Sequence, residues 1–404
     1  MKEGWEYKKL DDICTIVGRI GFRGYTKADL VDSPNDGAIT LSPSNITNGE
    51  LDFSKCTYIS WDKYNESPEI MLTKGDVVLV KTASIGKCAV VKELPHKATL
   101  NPQFVVLKGI IGEPNFIGYY LKSPVAQITI KQMAGGVAIP TLSQKKLGTM
   151  LIPSPPLSEQ QSVVDYLDSA FAKIDAMKAN AEKALNEAKT LFQASLKEML
   201  EPKEGWEEKV FGDLVVSNIV GLTRGKVEQG YEKKYPYLKM NNISPNNTLC
   251  WDDLICVDAN EEELEKYCLQ EGDFLFNTRN SKEWVGKSTV YRDYDAPVML
   301  YNNNVMRIRF VDTINPVFVA YSFLADYTKD QLEKIKSGTT NVWAIYYRDL
   351  SKILLTYPLL SEQQSIVETL DSLKSKVDRL QVNYNKISQE CDALKQAILR
   401  QVFE

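Results

Sequence analysis

A twelve-residue segment occurs twice in the sequence, and this repeat limits the possible folds more than any other feature. Residues 157–168 read LSEQQSVVDYLD and residues 360–371 read LSEQQSIVETLD, so nine of twelve positions are identical at a separation of 203 residues. Agreement of this quality does not arise by chance. The repeat indicates that the chain contains two copies of one structural unit.

Each copy carries the signals of a helix start. Ser158 with Gln161, and Ser361 with Gln364, have the S-x-x-Q spacing of a capping box, in which each side chain bonds a free backbone N–H group. Prolines precede both copies and disfavour an earlier helix. The pattern predicts that the two helices begin at these serines.

The predicted helices are long, and the second has a coiled-coil seam. Neither run contains Gly or Pro, and about 43 residues of helix would extend roughly 65 Å. In the second run, apolar residues recur alternately three and four apart. These are Leu370, Leu373, Val377, Leu380, Tyr384, Ile387, Cys391, Leu394 and Ile398. The first run has a broader apolar stripe, and the two stripes could pack on one another.

The chain order of domain, helix, domain, helix requires the second helix to run back along the first if the two pack together. The sequence therefore predicts an α+β protein in which two similar mixed α/β domains are joined by two long antiparallel coiled-coil helices, with a pseudo-twofold internal repeat. The predicted segments are residues 1–157, 158–201, 202–360 and 361–404.

The two domains share a strand pattern but differ in their loops. A Gly-Asp pair leads into the apolar segment VVLVK after Asp76 and into FLFNTR after Asp273, and both segments are typical of buried strands. Each is followed by a loop that ends in Gly-Lys, at Lys87 and Lys287. Insertions and substitutions between the two halves of the chain concentrate in the domains. This is expected for a protein that recognises two different targets with one scaffold.

Composition excludes several classes of protein. No run of eighteen apolar residues occurs, and the start MKEGWEYKKLDDI lacks the apolar core of a signal peptide, which predicts a cytoplasmic protein. Seven cysteines without a C-x-x-C pair, and a single histidine, His96, offer little for a metal site or a serine-histidine triad. We therefore predict no metal and no catalytic residues.

The overall charge does not by itself suggest nucleic acid binding, since the formal net charge is −5. The first 157 residues nevertheless carry 18 Lys and Arg against 15 Asp and Glu. In the second domain much of the negative charge lies in one run, residues 261–265. A basic face elsewhere on that domain remains compatible with the sequence.

The segment before each long helix resembles a known family signature. It reads PSPPLSEQQ at residues 153–161 and PLLSEQQ at residues 358–364. A Pro-rich turn that runs into Leu-x-Glu-Gln-Gln, found twice at domain spacing, is similar to the specificity subunits of type I restriction-modification systems. The resemblance covers essentially the whole chain.

The resemblance implies a division of labour among subunits. Each of two target recognition domains would read one half of a split sequence in double-stranded DNA, and the antiparallel helices would fix the gap between the halves. Two modification subunits with the S-adenosylmethionine site would dock on the helices and domains, and restriction subunits would supply the ATP- and Mg-dependent nuclease. The specificity subunit would be non-catalytic, hold no cofactor and have no membrane contact.

Loops between strands are where DNA contacts would project, because phosphates are bound by Lys, Arg and small polar groups and bases by Arg, Asn or Gln. The candidates in the first domain are Arg19, Arg23, Tyr25, Ser42, Ser44, Asn45, Lys81, Thr82, Ser84 and Lys87. Those in the second are Arg224, Lys226, Lys239, Asn241, Asn242, Arg279, Asn280, Ser281, Lys282, Lys287, Thr339, Thr340 and Asn341. Lys87 and Lys287, which match across the repeat, are predicted phosphate anchors. A solvated loop residue is the alternative for each position.

Two other functions remain open from the sequence. Asn101-Pro102-Gln103-Phe104 differs by one residue from the Asn-Pro-Pro-Phe signature of adenine methyltransferases, although its counterpart is Asn302-Asn303-Asn304-Val305 and no cofactor loop accompanies it. We interpret it as a strand entrance with an asparagine turn. A purely structural spacer is the third possibility. Trp5 and Trp206 are predicted to pack each domain against a helix.

Overall fold

The computed structural model describes residues 4–135, 140–292, 298–340 and 342–404. The chain divides into two units. Unit 1 comprises Met1–Ala181 together with Tyr384–Glu404, and unit 2 comprises Glu182–Asn383. Each unit thus contains one mixed α/β region and a part of each long helix.

The elements up to the first long helix belong to unit 1. In chain order they are β1 (Tyr7–Lys9), α1 (Leu10–Ile13), β2 (Thr15–Val17), β3 (Leu30–Val31), β4 (Gly37–Leu41), β5 (Ile46–Thr47), β6 (Glu50–Leu51), β7 (Tyr58–Ser60), α2 (Trp61–Asn65), β8 (Val77–Val80), β9 (Cys88–Val90), β10 (Ala98–Leu100), β11 (Phe104–Lys108), α3 (Pro114–Lys122), α4 (Pro124–Met133), α5 (Gln144–Gly148) and β12 (Leu151–Pro153). The long helix α6 (Leu157–Leu200) follows.

The second half largely repeats this order. Its elements are β13 (Glu207–Val210), β14 (Val215–Val220), β15 (Gln229–Gly230), β16 (Tyr235–Leu238), β17 (Ile255–Val257), α7 (Glu261–Tyr267), β18 (Phe274–Asn277), β19 (Arg279–Asn280), β20 (Ser288–Val290), β21 (Leu300–Tyr301), β22 (Val305–Phe310), α8 (Pro316–Ser322), α9 (Asp326–Ile335), β23 (Ser337–Gly338), β24 (Trp343–Ala344), α10 (Tyr347–Leu350), β25 (Leu354–Tyr357) and the long helix α11 (Leu360–Phe403).

The sheets have the same strand order in both units. Unit 1 has an antiparallel sheet β2-β11-β8-β9 and a mixed sheet β10-β4-β7-β3, in which β10 and β4 are parallel. Unit 2 has the matching sheets β14-β22-β18-β20 and β21-β16-β17-β15, in which β16 and β21 are parallel. The predicted internal repeat and fold class are therefore confirmed at the level of sheet topology.

The central strand of each antiparallel sheet is buried on both faces, as its apolar sequence predicts. In β8, Val77 and Leu79 contribute to the core beneath α3 and α4, whereas Val78 and Val80 contribute to the core shared with the mixed sheet. This alternation follows from the two-residue period of a strand. The strand therefore joins two cores within unit 1.

The Gly-Asp turn before this strand is held by its own carboxylate. The Asp76 side chain accepts a hydrogen bond from the Thr73 N–H (2.8 Å) and pairs with Lys108 Nζ (2.6 Å). In unit 2 Asp273 accepts from the Gln270 N–H (2.8 Å) and pairs with Arg309 Nε (2.6 Å). A buried carboxylate needs such partners, and here they fix the turn that feeds each strand.

Segments of α6 and α11 pack antiparallel within each unit. In unit 1, Lys395 Nζ contacts Asp175 (2.5 Å) and Lys178 Nζ contacts Asp392 (3.5 Å), so residue numbers rise on one helix as they fall on the other. In unit 2 both helices contribute to one core. The residues concerned are Phe192, Leu196 and Leu200 from α6 and Ile366, Val367 and Leu370 from α11.

Two expectations about the long helices are wrong in detail. The helices begin at Leu157 and Leu360, so the serines lie inside them, and no capping box forms; Gln161 instead donates to Asp165 (2.9 Å). Leu394 is 46 % exposed although it belongs to the predicted seam. A straight α-helix drifts by about 20° per heptad relative to a 3.5-residue repeat, which rotates the seam away from Leu394.

The difference in burial between Leu370 and Leu394 of α11 can be tested by replacing each leucine with alanine. Leu370 is fully buried, so Leu370→Ala should lower the free energy of unfolding by about 2–5 kcal/mol. Leu394→Ala should change it by about 0.5 kcal/mol or less. Urea unfolding followed by circular dichroism measures both, and equal losses would contradict the packing described here.

Candidate nucleic-acid interface and its anchors

Backbone hydrogen bonds bring the candidate loops of unit 1 together at one edge. The Asn101 N–H donates to the Leu41 carbonyl (3.0 Å), the Lys81 N–H to the Gln103 carbonyl (2.7 Å) and the Leu142 N–H to the Lys81 carbonyl (2.8 Å). The loops after β4 and β8, the entrance to β11 and the segment before α5 are therefore neighbours.

Unit 2 repeats this connection with different residues. The Asn302 N–H donates to Leu238 (2.9 Å), the Thr278 N–H to Asn304 (2.8 Å) and the Ile345 N–H to Thr278 (3.0 Å). Asn302 Oδ1 accepts from the Asn304 N–H (3.3 Å), as Asn101 Oδ1 accepts from the Gln103 N–H in unit 1. The interpretation of both segments as asparagine turns at strand entrances is confirmed.

The candidates of unit 1 differ in their exposure. Exposed side chains are Ser44, Ser84 and Lys87; half-buried ones are Arg23, Tyr25, Ser42, Lys81 and Thr82; buried ones are Arg19 and Asn45. Burial also lowers the pKa of Lys81. Ser44, Ser84 and Lys87 are thus the candidates of this unit most open to a ligand.

Asn45 and Asn242 occupy equivalent buried positions and hold their loops together. Asn45 Oδ1 accepts from the Ser42 N–H (2.9 Å), and its Nδ2 donates to the carbonyls of Asp52 and Lys55 (3.1 and 3.0 Å). Asn242 accepts from the Lys239 N–H (2.9 Å) and donates to the Cys250 carbonyl (3.1 Å). These bonds favour a structural role over base reading.

Arg19 also makes its contacts within the protein. Its Nε donates to the Leu100 carbonyl (3.2 Å), its Nη1 donates to the Arg23 carbonyl (3.2 Å), and the guanidinium lies 5.2 Å from the Tyr25 ring. Burial lowers the pKa of Arg19. Arg23 lies 3.5 Å from Glu69. Arg19 therefore stabilises the early loop through contacts within the protein.

Exposure among the unit 2 candidates is equally uneven. Exposed side chains are Lys226, Asn241, Arg279, Ser281, Lys282, Thr339 and Thr340; half-buried ones are Arg224, Lys239, Asn280 and Lys287; Asn242 is buried. Asn341 lies outside the described residues. Asn280 Nδ2 donates to Asn277 Oδ1 (2.9 Å), and Lys239 Nζ donates to Gln229 Oε1 (3.1 Å), so these two groups also connect loops.

Arg224 is committed to an internal ion pair. Its Nη2 lies 2.7 Å from Glu263 Oε2 and 3.1 Å from the Asp258 carbonyl. The hydrogen bond with Glu263 raises the pKa of Arg224. The acidic run of α7 therefore neutralises this cation.

The two matched lysines have different environments. Lys87 is exposed. Lys287 Nζ donates to the carbonyls of Met240 (2.9 Å) and Ile243, and burial lowers its pKa. The equivalent loops thus present different groups, and Lys87 suits a phosphate better than Lys287 does.

The side chains that hold each domain on its helix are not among the predicted site residues. The first glutamine of each Gln-Gln pair is buried. Gln160 Oε1 accepts from the Glu113 N–H (2.9 Å), and its Nε2 donates to the Pro155 carbonyl (2.8 Å). Gln363 Oε1 accepts from the Asn315 N–H (2.8 Å), and its Nε2 donates to the carbonyls of Thr313 and Pro358 (3.0 and 2.9 Å).

The preceding glutamate fixes a tryptophan in each unit. Trp5 Nε1 donates to Glu159 (2.7 Å), and its ring packs on Phe403 (6.2 Å between centroids). Trp206 Nε1 donates to Glu362 (3.3 Å), and its ring packs near Phe318. The predicted packing of both tryptophans is confirmed.

The last residue of each repeat, an aspartate, accepts a hydrogen bond from a tyrosine on a helix of the preceding domain, α3 or α8. Tyr119 O–H donates to Asp168, and Tyr321 O–H donates to Asp371 (2.5 Å). Burial and these bonds raise the pKa of both tyrosines. Burial would raise the pKa of Asp371, but hydrogen bonds from Arg292 (2.9 and 3.1 Å) and Tyr321 hold it below its usual range.

The side of each long helix that contacts its domain could have been predicted from the spacing of the identical residues. In the first copy, Gln160, Val164, Leu167 and Asp168 stand at i, i+4, i+7 and i+8, which places them on one side of a helix. The first three are buried. The repeated segment is therefore an anchoring surface as well as a helix start.

Within the described residues, no group of three His, Cys, Asp or Glu is placed to hold a metal ion. None of the helices in those same ranges is both long and apolar enough to cross a membrane.

Two copies of one mixed α/β domain, each anchored on a long helix and each with polar loops at one edge, define a protein with two recognition domains. A family model described as "Type I restriction modification DNA specificity domain" matches residues 2–187 and 203–389. The chain belongs to this family of type I restriction-modification DNA specificity proteins, so the predicted resemblance is confirmed.

Relatives and solved structures agree with that assignment. The chain is 24 % identical over 428 residues to the type I restriction enzyme EcoKI specificity subunit of Escherichia coli K12, covering all of this chain and 89 % of that one. It is 24 % identical over 402 residues to the MjaVIII specificity subunit of Methanocaldococcus jannaschii, covering 93 % and 87 %.

The fold is shared with solved chains at low sequence identity. One, from a study of complex assembly and conformational transition of the type I R-M system, has a TM-score of 0.71 at 21 % identity and covers 100 % of this chain and 98 % of its own. The HsdS subunit of Thermoanaerobacter tengcongensis has a TM-score of 0.57 at 19 % identity, with coverage of 100 % and 97 %.

The two adjacent glutamines provide a matched test of the anchor. Gln363→Leu should lower the free energy of unfolding of unit 2 by roughly 3 kcal/mol, because it leaves a buried N–H and two carbonyls without their partner. Gln364 is exposed, so Gln364→Leu should have an effect of about 0.5 kcal/mol or less. Urea unfolding followed by circular dichroism distinguishes them; similar effects would contradict the anchor.

Proposed function

We propose that this chain is the DNA sequence-recognition subunit of a type I restriction-modification complex, in which each domain reads one half of a bipartite target. One observation carries the proposal. The two units share strand order and anchors, yet the side chains on their equivalent loops differ in identity and exposure.

The contrast between Lys87 and Lys287 illustrates this point. Each lysine follows the equivalent glycine of the equivalent loop. Lys87 is exposed, whereas the Lys287 ammonium group donates hydrogen bonds to carbonyls. A scaffold that repeats while its contact groups diverge fits two different half-sites. Phosphate contacts by groups such as Lys87 would position the duplex, and polar loop side chains would read base edges.

The long helices are suited to act as a spacer between the domains that read the two half-sites. Each runs unbroken for 44 residues, which corresponds to roughly 66 Å of helix. We propose that they fix the unspecified gap and dock two modification subunits. The exposed apolar side chains Tyr166, Met177, Leu191 and Val382 lie on these helices, and burial by a partner would remove them from water.

The chemistry belongs, in this proposal, to the partner subunits. Modification subunits would bind S-adenosylmethionine, restriction subunits would use ATP and Mg, and this chain would be non-catalytic. The alternative of a methyltransferase built around Asn101 is disfavoured by its geometry. That side chain is buried, and both of its polar ends bond Gln103, which leaves it engaged in a turn.

Co-expression with the cognate modification subunit in a methylation-free host tests this function. Long-read mapping of N6-methyladenine should show two short sequence blocks around a fixed gap, and DNA binding should weaken steeply as salt rises. Methylation by this chain alone would favour the methyltransferase alternative. Absence of methylation, with both subunits present and folded, would contradict the recognition function and leave the structural spacer.

A further inference from the structure

One lysine of the long helix α11 binds a loop of unit 2 that borders the candidate residues. Lys374 Nζ donates hydrogen bonds to the backbone carbonyls of Asn246 (2.9 Å) and Asn247 (3.3 Å). These carbonyls belong to residues 243–249, which directly follow the candidate Asn242 in the chain. We call residues 243–249 the Asn247 loop. A charged donor therefore joins α11 directly to this loop.

Further contacts fix the shape of the Asn247 loop. The Ser244 N–H donates to the Thr248 carbonyl (2.9 Å) and closes the loop. Asn247 has a φ of +55°, in the left-handed region that asparagine adopts more readily than most residues. Its carbonyl accepts from Thr289 Oγ1 (3.1 Å), and its Nδ2 donates to the Ala320 carbonyl. The loop is therefore held by β20 and α8 as well as by α11.

The Asn247 loop in turn positions the exposed candidate Asn241. Lys287 Nζ donates to the carbonyls of Met240 (2.9 Å) and Ile243, which lie on either side of Asn241 in the chain. Ile243 is also paired with Leu249 across the base of the loop. An exposed asparagine can donate to and accept from an adenine edge, so its placement decides whether it can read a base. The helix lysine and this asparagine are thus linked through one short, hydrogen-bonded loop.

Lys374 carries its charge in an unfavourable environment. Burial lowers its pKa to about 8, although the charges of Asp378 and Asp371 oppose this shift. The Asp371 carboxylate is bound by Arg292 (2.9 and 3.1 Å), and Lys374 forms no ion pair with the residues that the structure describes. A charge removed from water without a carboxylate partner adds little net stability to a fold. Placement of the Asn247 loop explains this lysine better than stability does.

The equivalent helix position in unit 1 carries no hydrogen-bond donor. The repeated segments align Lys374 with Phe171 of α6, three residues beyond the aspartate that ends each repeat. The equivalent loop of unit 1, residues 46–51, contacts its own domain, where Lys92 Nζ donates to Glu50 (3.2 Å). The lysine contact from the helix is therefore a difference between two units that otherwise match. A difference that acts on a candidate reader is expected where the two half-sites differ.

We propose that Lys374 is a positioning residue, which sets through the Asn247 loop how Asn241 meets the bases of the half-site that unit 2 reads. The ammonium group itself does not contact DNA in this proposal. The inference rests on the proposed function and adds that the spacer helix takes part in sequence reading. A base-reading side chain requires close geometry, so release of the loop from the helix lowers discrimination at the position that Asn241 reads.

The test uses the full chain with its modification subunit and maps N6-methyladenine in a methylation-free host. Discrimination is the ratio of methylation at the motif to methylation at sites with one mismatch. Asn241→Ala identifies the motif position that this asparagine reads, because discrimination should fall there. Lys374→Met removes the ammonium group and should lower discrimination about tenfold at the same position. Lys374→Arg keeps a donor and should retain most of it.

Lys376→Met is the matched control, since Lys376 is exposed on the same helix. It should keep the wild-type consensus in both blocks. Urea unfolding followed by circular dichroism provides a second readout. Because Lys374 adds little net stability, Lys374→Met should keep the wild-type midpoint. A clearly lower midpoint would show that the lysine has a structural role, and would overturn the proposal.

The outcomes distinguish this proposal from the function on which it rests. A Lys374→Met chain that keeps the wild-type consensus, while Asn241→Ala relaxes it, would overturn the positioning role. Equal loss in both blocks, or a loss that Lys374→Arg shares in full, would overturn it as well. An unchanged consensus for Asn241→Ala would remove the reader on which the role depends. A wild-type chain without a split motif would instead contradict the recognition function.

Discussion

A buried glutamine amide holds each recognition domain on its long helix. The carboxamide combines an acceptor and two donors in one neutral group, so it can bond an N–H and carbonyls at the domain edge without burying a charge. Gln160 does this for the start of α3, and Gln363 does it for the start of α8. A hydrophobic residue at either position would leave those backbone groups unsatisfied in a buried site.

The other identical residues of the repeat extend this anchor. Glu159 and Glu362 each bind a tryptophan, and Asp168 and Asp371 each accept from a tyrosine. Each of these contacts joins residues of a single unit. The same residues therefore recur in both copies because they form the surface of each long helix that contacts its domain. The two domains bind this surface in the same way although their loops differ.

The sequence predicted the architecture better than it predicted the roles of single loop residues. The repeat and the apolar periodicity were sufficient for the two long helices, and the β-branched segments for the buried strands. Which glutamine faces the domain depends on the phase of the helix. The first long helix begins at Leu157, one residue before the predicted serine, because the Pro156 carbonyl already accepts from the N–H groups of Glu159 and Gln160. The partner of Arg224, Glu263, lies 39 residues away and depends on tertiary structure.

The central claim is that the two domains read DNA independently on a common scaffold, and exchanging one domain tests it most directly. Residues 1–157 would be replaced by the matching segment of a relative with a different target, and N6-methyladenine mapped after co-expression with the modification subunit. One block of the motif should change while the other block and the gap stay the same. A motif that changes in both blocks, or in neither, would contradict independent reading.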